Sequence, residues 1–313
     1  MNWILLATAA QFLNALVALI DKRIVTDDKI LPRPFVYAFY TCLISGIWVI
    51  IYVISLLPFD FIDALHLPTF SHVLRPTLGV VALSFLAAYT FFTALVSMFT
   101  AFRTANASDV VPVVGATSAI VSFGLGYFFL HTPISHNFAL GITLLAGGTY
   151  LVSRFHFPLK TAMVAMHARI FFSIHYFCLK GLFMVTTFDD GFFWSRIAFM
   201  LYALSLLMVP DFLEKITEQT KSTTKQAGFL IFTNKIIAGV STILILKATD
   251  LGDVAVVQAL GGLHFVFVFI LGIFFSSHIK KVKTGEKYHS ETVFQKVFFI
   301  TLIVIGFVVL FNG

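Results

Sequence analysis

The sequence predicts a polytopic α-helical bundle embedded in lipid, and three observations carry that reading. Charge is scarce: Asp, Glu, Lys and Arg make up 12% of the 313 residues, where a soluble chain carries roughly 25%. Apolar side chains make up 59%, too many for a water-covered surface to hide. They also gather in runs close to the ~20 residues that a helix needs to cross the hydrocarbon core. Little chain is left for a separate soluble domain.

Ten such runs fall near 3–24, 35–57, 77–99, 108–130, 137–154, 161–186, 192–210, 227–246, 253–276 and 293–311. At about 1.5 Å of rise per residue, each covers a ~30 Å core with some tilt. The first lacks a basic leader and a small-residue cleavage site, and further spans follow, so it reads as a helix rather than a signal peptide. Runs four and five are separated only by residues 131–136. The longer connections are 58–76, 211–226 and 277–292. The first mixes Phe59, Phe61, Ile62, Leu65 and Leu67 with Asp60, Asp63 and His66, the composition of an amphipathic turn at the membrane interface. The second, rich in Lys, Glu and Thr, reads as a solvated linker.

Other features narrow the function by exclusion. The net charge of +6 resides mostly in short connections, where a membrane protein keeps its basic residues, so it does not point to nucleic acid. The 38 Phe follow from the demand for apolar side chains. Cys42 and Cys178 both lie inside apolar runs and suggest no structural disulfide. The sequence shows no phosphate-binding loop, no Cys/His metal spacing and no nucleophile–base pair. It therefore predicts no metal, no cofactor and no enzyme.

An internal repeat organises the ten runs. Arg103-Thr-Ala-Asn106-Ala-Ser108-Asp109-Val110 matches Lys247-Ala-Thr-Asp250-Leu-Gly252-Asp253-Val254 at an offset of 144. At an offset of 158, Gln11 and Lys22 fall on Arg169 and Lys180. The same offset aligns Ile142-Thr143-Leu144 and Gly148 with Ile300-Thr301-Leu302 and Gly306. Residues 1–156 and 157–313 thus become two five-helix units. Five is odd, so the second copy enters the membrane from the opposite side. The predicted fold class is ten transmembrane helices in two inverted repeats, an architecture that binds its substrate near the midplane.

The stretch from Ala101 to Pro112 at the start of the fourth run, Tyr127-Phe-Phe-Leu-His131 at its end, Asp21-Lys22, and Phe193-Trp-Ser-Arg196 resemble EamA-type ten-helix members of the drug/metabolite transporter superfamily. The likeness covers nearly the whole chain. It departs from the family where His131-Thr132 replace the usual Gly-Glu. The resemblance implies transport of small organic solutes without naming one.

Ionisable groups inside lipid mark a solute path or the bundle interior. The basic residues within predicted helices are Arg169, Lys180, Arg196 and Lys235, joined by His167, His175 and His264. No carboxylate is expected at comparable depth, because Asp109 and Asp253 fall at helix entrances. A basic cavity without a carboxylate suits anionic or zwitterionic metabolites and disfavours cationic drugs. Arg169, Tyr176 and Lys180 lie within about 20° of one helix face, and Gln11 and Lys22 share the spacing on the first helix. Snorkelling to headgroups is the competing reading for Lys22 and Lys180. His175 is the candidate for proton-linked titration. Asn14, Asn234 and Gln258 either meet substrate or bond a neighbouring helix. The small-residue series Gly115, Ala119, Ser122 and Gly126, with Gly141, Gly147 and Gly148, reads as close helix packing; the fifth and tenth helices also offer a homodimer face.

Basic residues crowd the connections after odd-numbered helices, which puts those connections in the cytoplasm and both termini outside. The family resemblance implies the reverse. The expected function is a secondary carrier of small polar metabolites in the cytoplasmic membrane, in contact with lipid. A non-transporting lipid-binding or assembly protein on the same fold is the alternative, and the two separate on whether Arg169 and Lys235 line one solvated cavity.

Overall fold

A computed structural model describes residues 3–56, 68–130, 137–156, 158–251, 260–278 and 290–311. Gln258, His131, Thr132, the Gly252-Asp253-Val254 part of the repeated motif and most of the 58–76 and 277–292 connections lie outside them, as do the side chains of Ala119, Ser122 and Gly126.

The described secondary structure is helical throughout. In chain order it comprises α1 (Trp3–Thr26), α2 (Pro34–Ile47), α3 (Ile50–Ile54), a 3₁₀ turn (Phe70–His72), α4 (Leu78–Thr104), α5 (Ala107–Leu130) and α6 (Phe138–His156). Then follow α7 (Leu159–Val185), α8 (Phe188–Leu206), α9 (Pro210–Ser222), α10 (Lys225–Leu251), α11 (Gly262–His278) and α12 (Ser290–Phe311). Helix starts have local causes. Pro34 and Pro210 open α2 and α9 at positions that need no N–H partner. The Thr77 and Thr187 side chains accept the Val80 and Asp190 backbone N–H groups at 3.3 and 3.2 Å, capping α4 and α8.

Among the described residues, five helices are long and apolar enough to cross a membrane, or six when α8 and α9 count as one bent span. The outside of the bundle agrees with that solvent. Leu78, Phe294 and Phe229 are 85%, 79% and 72% exposed, an apolar exterior that a water-soluble monomer avoids. The molecule is thus an α-helical bundle with the surface and helix lengths of a membrane protein.

Two expectations are corrected here. Residues 211–226, expected as a solvated linker, are mostly helical: they form α9, which turns 97° from α8, stays largely exposed and buries Ile216 and Gln219. Pro210 directs the chain into that turn, and Ile216 supplies the apolar contact. The first helix also runs on to Thr26, two residues past its expected end, with Asp21 well inside it.

Helices α1 and α10 pack side by side, as do α4 and α7; α6 pairs with α12, α2 with α8, α5 with α7, and α1 with α11. Both long pairs are antiparallel. Thr104 meets Thr161, Ser97 meets His167, and the Ala87 carbonyl meets His175. On the other pair, Asn14 meets Ser241 and Asp21 meets Lys235. The α6–α12 contact is close because of its glycines. A Cβ at Gly148 would come within 2.6 Å of Ile303, and one at Gly306 within 2.8 Å of the Leu145 backbone. That surface of both helices is therefore occupied inside the chain.

Candidate functional site

Where α1, α2, α4, α7, α8 and α10 converge, they enclose a cavity of about 230 Å³. Asp21, Lys235 and Arg196 supply its charges, Thr41, Ser45 and Thr242 its hydroxyls, and Trp48, Phe91, Phe172 and Phe192 its aromatic wall. Trp48 sits in the break between α2 and α3. Its indole packs on α10, where a Cβ at Gly239 would come within 1.7 Å of the ring. Only glycine leaves room for it there.

One end of the cavity is a buried polar cluster. Oδ1 of Asp21 accepts from Asn234 Nδ2 at 2.6 Å, from Lys235 Nζ at 2.8 Å and from the Tyr37 hydroxyl. Asn234 also donates to the Tyr37 hydroxyl at 3.2 Å. The Lys235 ammonium lies 4.5 Å from the centre of the Tyr37 ring and 5.5 Å from that of Phe99, so ring faces take up charge that the carboxylate leaves. An unpaired charge in this setting would cost several kcal/mol, about what a broken buried pair loses. The cluster joins α1, α2 and α10 through one carboxylate.

Arg196 faces the same cavity without a carboxylate partner among the described residues. Phe192 and Phe199 hold its guanidinium, each ring centre 4.7 Å away. It sits two turns into α8, deeper than expected, because the helix begins at Phe188. The expectation of a cavity lacking a carboxylate is corrected by Asp21. With one carboxylate, one ammonium and one guanidinium, however, the described lining keeps a net positive charge.

The other predicted residues go elsewhere. Arg169 is 2% exposed, contacts the Thr117 hydroxyl on α5 and does not line this cavity; its Nε and Nη2 have no hydrogen-bond partner among the described residues. Arg169 thus stays out of the cavity that Lys235 lines. Lys22 does not snorkel. It is buried, and its Nζ donates to the Phe102 carbonyl and, at 2.7 Å, to that of Ala105, closing the C-terminus of α4. Lys180, which the sequence matches to it, is exposed, as is Tyr176 at 57%, so the predicted Arg169–Tyr176–Lys180 face does not line the cavity. His175 donates from Nδ1 to the Ala87 carbonyl at 2.9 Å and packs on Phe91, a packing role between α7 and α4. Gln11 is buried outside the cavity lining. Asn14 accepts from Ser241 at 2.7 Å, bonding helices rather than solute.

Sequence reasoning missed Asp21 and a second buried pair, Lys296 to Asp109 at 2.9 Å between α12 and α5. Asp21 had a readable signal: it falls inside the first apolar run, and Ile24 and Val25 continue the apolar pattern beyond it.

No family model matches the chain, and no curated protein does. A crystal structure described without a function is similar to it over 98% of this chain and 95% of that one, with a TM-score of 0.55 and 14% identity. At that identity the likeness supports the fold alone. Fold and site together define a class: a helical membrane-type bundle with a charged, aromatic-walled interior cavity.

Proposed function

We propose that the chain is an integral multi-pass membrane transporter of small polar organic metabolites, anionic or zwitterionic, working by alternating access. In this reading ten transmembrane helices form two inverted five-helix repeats, and the protein stands with the EamA-type carriers it resembles.

Several features support the repeat. Exchanging the halves turns α1–α10 into α7–α4 and α1–α11 into α7–α5, while α6–α12 and α2–α8 map onto themselves; all are observed packings. The alignment that equates Gly148 with Gly306 also equates Leu145 with Ile303, and each glycine packs on the other's partner. Such reciprocity is what a two-fold contact requires. The turn after the first span meets the connection after the seventh, through Arg33 and Glu218. The connection after the second meets the turn after the sixth, through Thr69 and Asp189. Helices that cross alternately bring those connections to shared faces.

The observation that carries the transport reading is the cavity between the halves, with net positive charge and Arg196 free to grip an oxyanion. Its volume falls below the roughly 300–1,000 Å³ of drug-sized pockets, which favours a small metabolite. The second reading, a non-transporting membrane protein, draws on Arg169, which is buried outside the cavity. A thermal-shift screen of the purified protein separates the two. Carboxylates or zwitterions should raise the melting temperature, and Arg196→Gln should abolish the shift. Stabilisation by quaternary amines alone, or by no solute, contradicts the proposal.

A further inference from the structure

Two clasps cross between the halves, and they are built alike. At one end of the bundle, α9 lies over the α1–α2 turn. Arg33 donates to Glu218 at 3.1 Å and to the Lys215 carbonyl at 3.4 Å, and the Tyr40 and Thr220 hydroxyls are 2.5 Å apart. Thr223 donates to the Ile30 carbonyl at 3.3 Å, and Phe212 packs on Phe35 with ring centres 4.8 Å apart. At the other end, residues 68–74 lie over the α7–α8 turn. The Asp189 carboxylate accepts from the Thr69 N–H at 3.1 Å and meets His72 at 2.9 Å. Asp190 accepts from the Leu74 N–H at 3.0 Å, and the Tyr52 hydroxyl donates to the Asp189 carbonyl.

The clasps sit at opposite ends of α8: Asp189 and Asp190 lie in its first turn, and α9 leaves its last. In each, the connection after the second helix of one half is seated on the first turn of the other. Each clasp also has a partner open to solvent, which the core pair lacks. Arg33, Glu218 and His72 side chains are 46%, 56% and 64% exposed, whereas Asp21 and Lys235 are each 6% exposed; Asp189 at 18% and Asp190 at 4% anchor the second clasp from its buried side. Exposed pairs exchange for water at little cost, and buried ones do not. The clasps are the cross-half contacts suited to opening and closing.

We infer that these clasps are paired latches, each closing one entrance to the Asp21–Lys235–Arg196 cavity, and both are engaged in this structure. Release of α9 opens one side, and release of 68–74 opens the other. The inference rests on the transporter reading and adds the elements that gate it.

The test places a single reporter, Ser45→Cys, in the cavity of a Cys42→Ala/Cys178→Ala protein reconstituted in liposomes. The latch pairs are Ile30→Cys/Thr223→Cys and Thr69→Cys/Asp189→Cys. Each is oxidised before a membrane-impermeant maleimide is applied from one side. The reporter should label from both sides in the unlatched protein. Oxidising the first pair should bring labelling from the α9 side to background and spare the other side; the second pair should do the opposite. Labelling that ignores oxidation, or that falls equally on both sides, overturns the latches alone. A reporter that labels from neither side before oxidation overturns the latches and the transporter reading together. If a pair does not yield folded protein, Arg33→Cys/Glu218→Cys and Leu74→Cys/Asp190→Cys replace the two pairs under the same criteria.

Discussion

Lys235 on α10 donates to Asp21 on α1 at 2.8 Å, with both side chains 6% exposed. Breaking such a pair from one side leaves a buried charge unmatched, which costs about 3–5 kcal/mol, whereas replacing both partners by apolar groups is often neutral. Asp21→Leu and Lys235→Met should each lower thermal stability sharply in detergent, and the double variant should recover most of the loss. Additive losses in the double-mutant cycle would show that the two groups do not depend on one another.

The glycines of α6 and α12 give a prediction of sign. Gly306→Ala places a Cβ 2.8 Å from the Leu145 backbone, and nothing lies within 4 Å of a Cβ at Gly147. Overpacking should cost Gly306→Ala about 1–3 kcal/mol. Gly147→Ala should gain roughly 0.5–1 kcal/mol from reduced backbone freedom. Thermal unfolding of the two variants side by side checks the close α6–α12 approach, and a stable Gly306→Ala would refute it.

Lys22 and Lys180 are matched in the proposed repeat but differ in environment. Lys22 is buried against the carbonyls that end α4, and Lys180 is exposed. Lys22→Met should destabilise by about 1–3 kcal/mol, the cost of leaving buried acceptors unmet. Lys180→Met should stay within about 0.5 kcal/mol of the parent. Equal melting temperatures for both variants would contradict the placement of Lys22.

Trp48 tests the cavity wall. Gly239→Ala drives a Cβ into the indole, so the ring must leave α10. In a Trp3→Phe/Trp194→Phe background, the Trp48 emission maximum should move on this substitution. An unchanged spectrum would mean that Trp48 does not rest on α10.

Most of the helix pattern was legible because apolar runs of spanning length have few alternatives in lipid. The chemistry was legible only in part. Lys235 and Asn234 were readable as deep polar residues, but their partner Asp21, inside the first run yet close to its end, was not counted among the deep groups, and without it the cavity read as lacking a carboxylate. Arg196 was undervalued because Asp189 and Asp190 mark a helix start that hydrophobicity alone places too late. Burial of Arg169 followed from its depth, whereas Lys22 was equally readable as snorkelling; their partners Thr117 and the Ala105 carbonyl depend on which helices meet. α9 escaped notice because its composition is polar; its helical form rests on a proline start and one buried isoleucine.

Solute uptake into liposomes by the parent protein and Arg196→Gln tests the central claim most directly. The parent should take up small carboxylates or zwitterions saturably, and counter-loading with the same solute should accelerate entry. Arg196→Gln should lose that uptake while Lys180→Met keeps it. Absence of uptake by the parent, or uptake unaffected by loss of Arg196, would contradict the account.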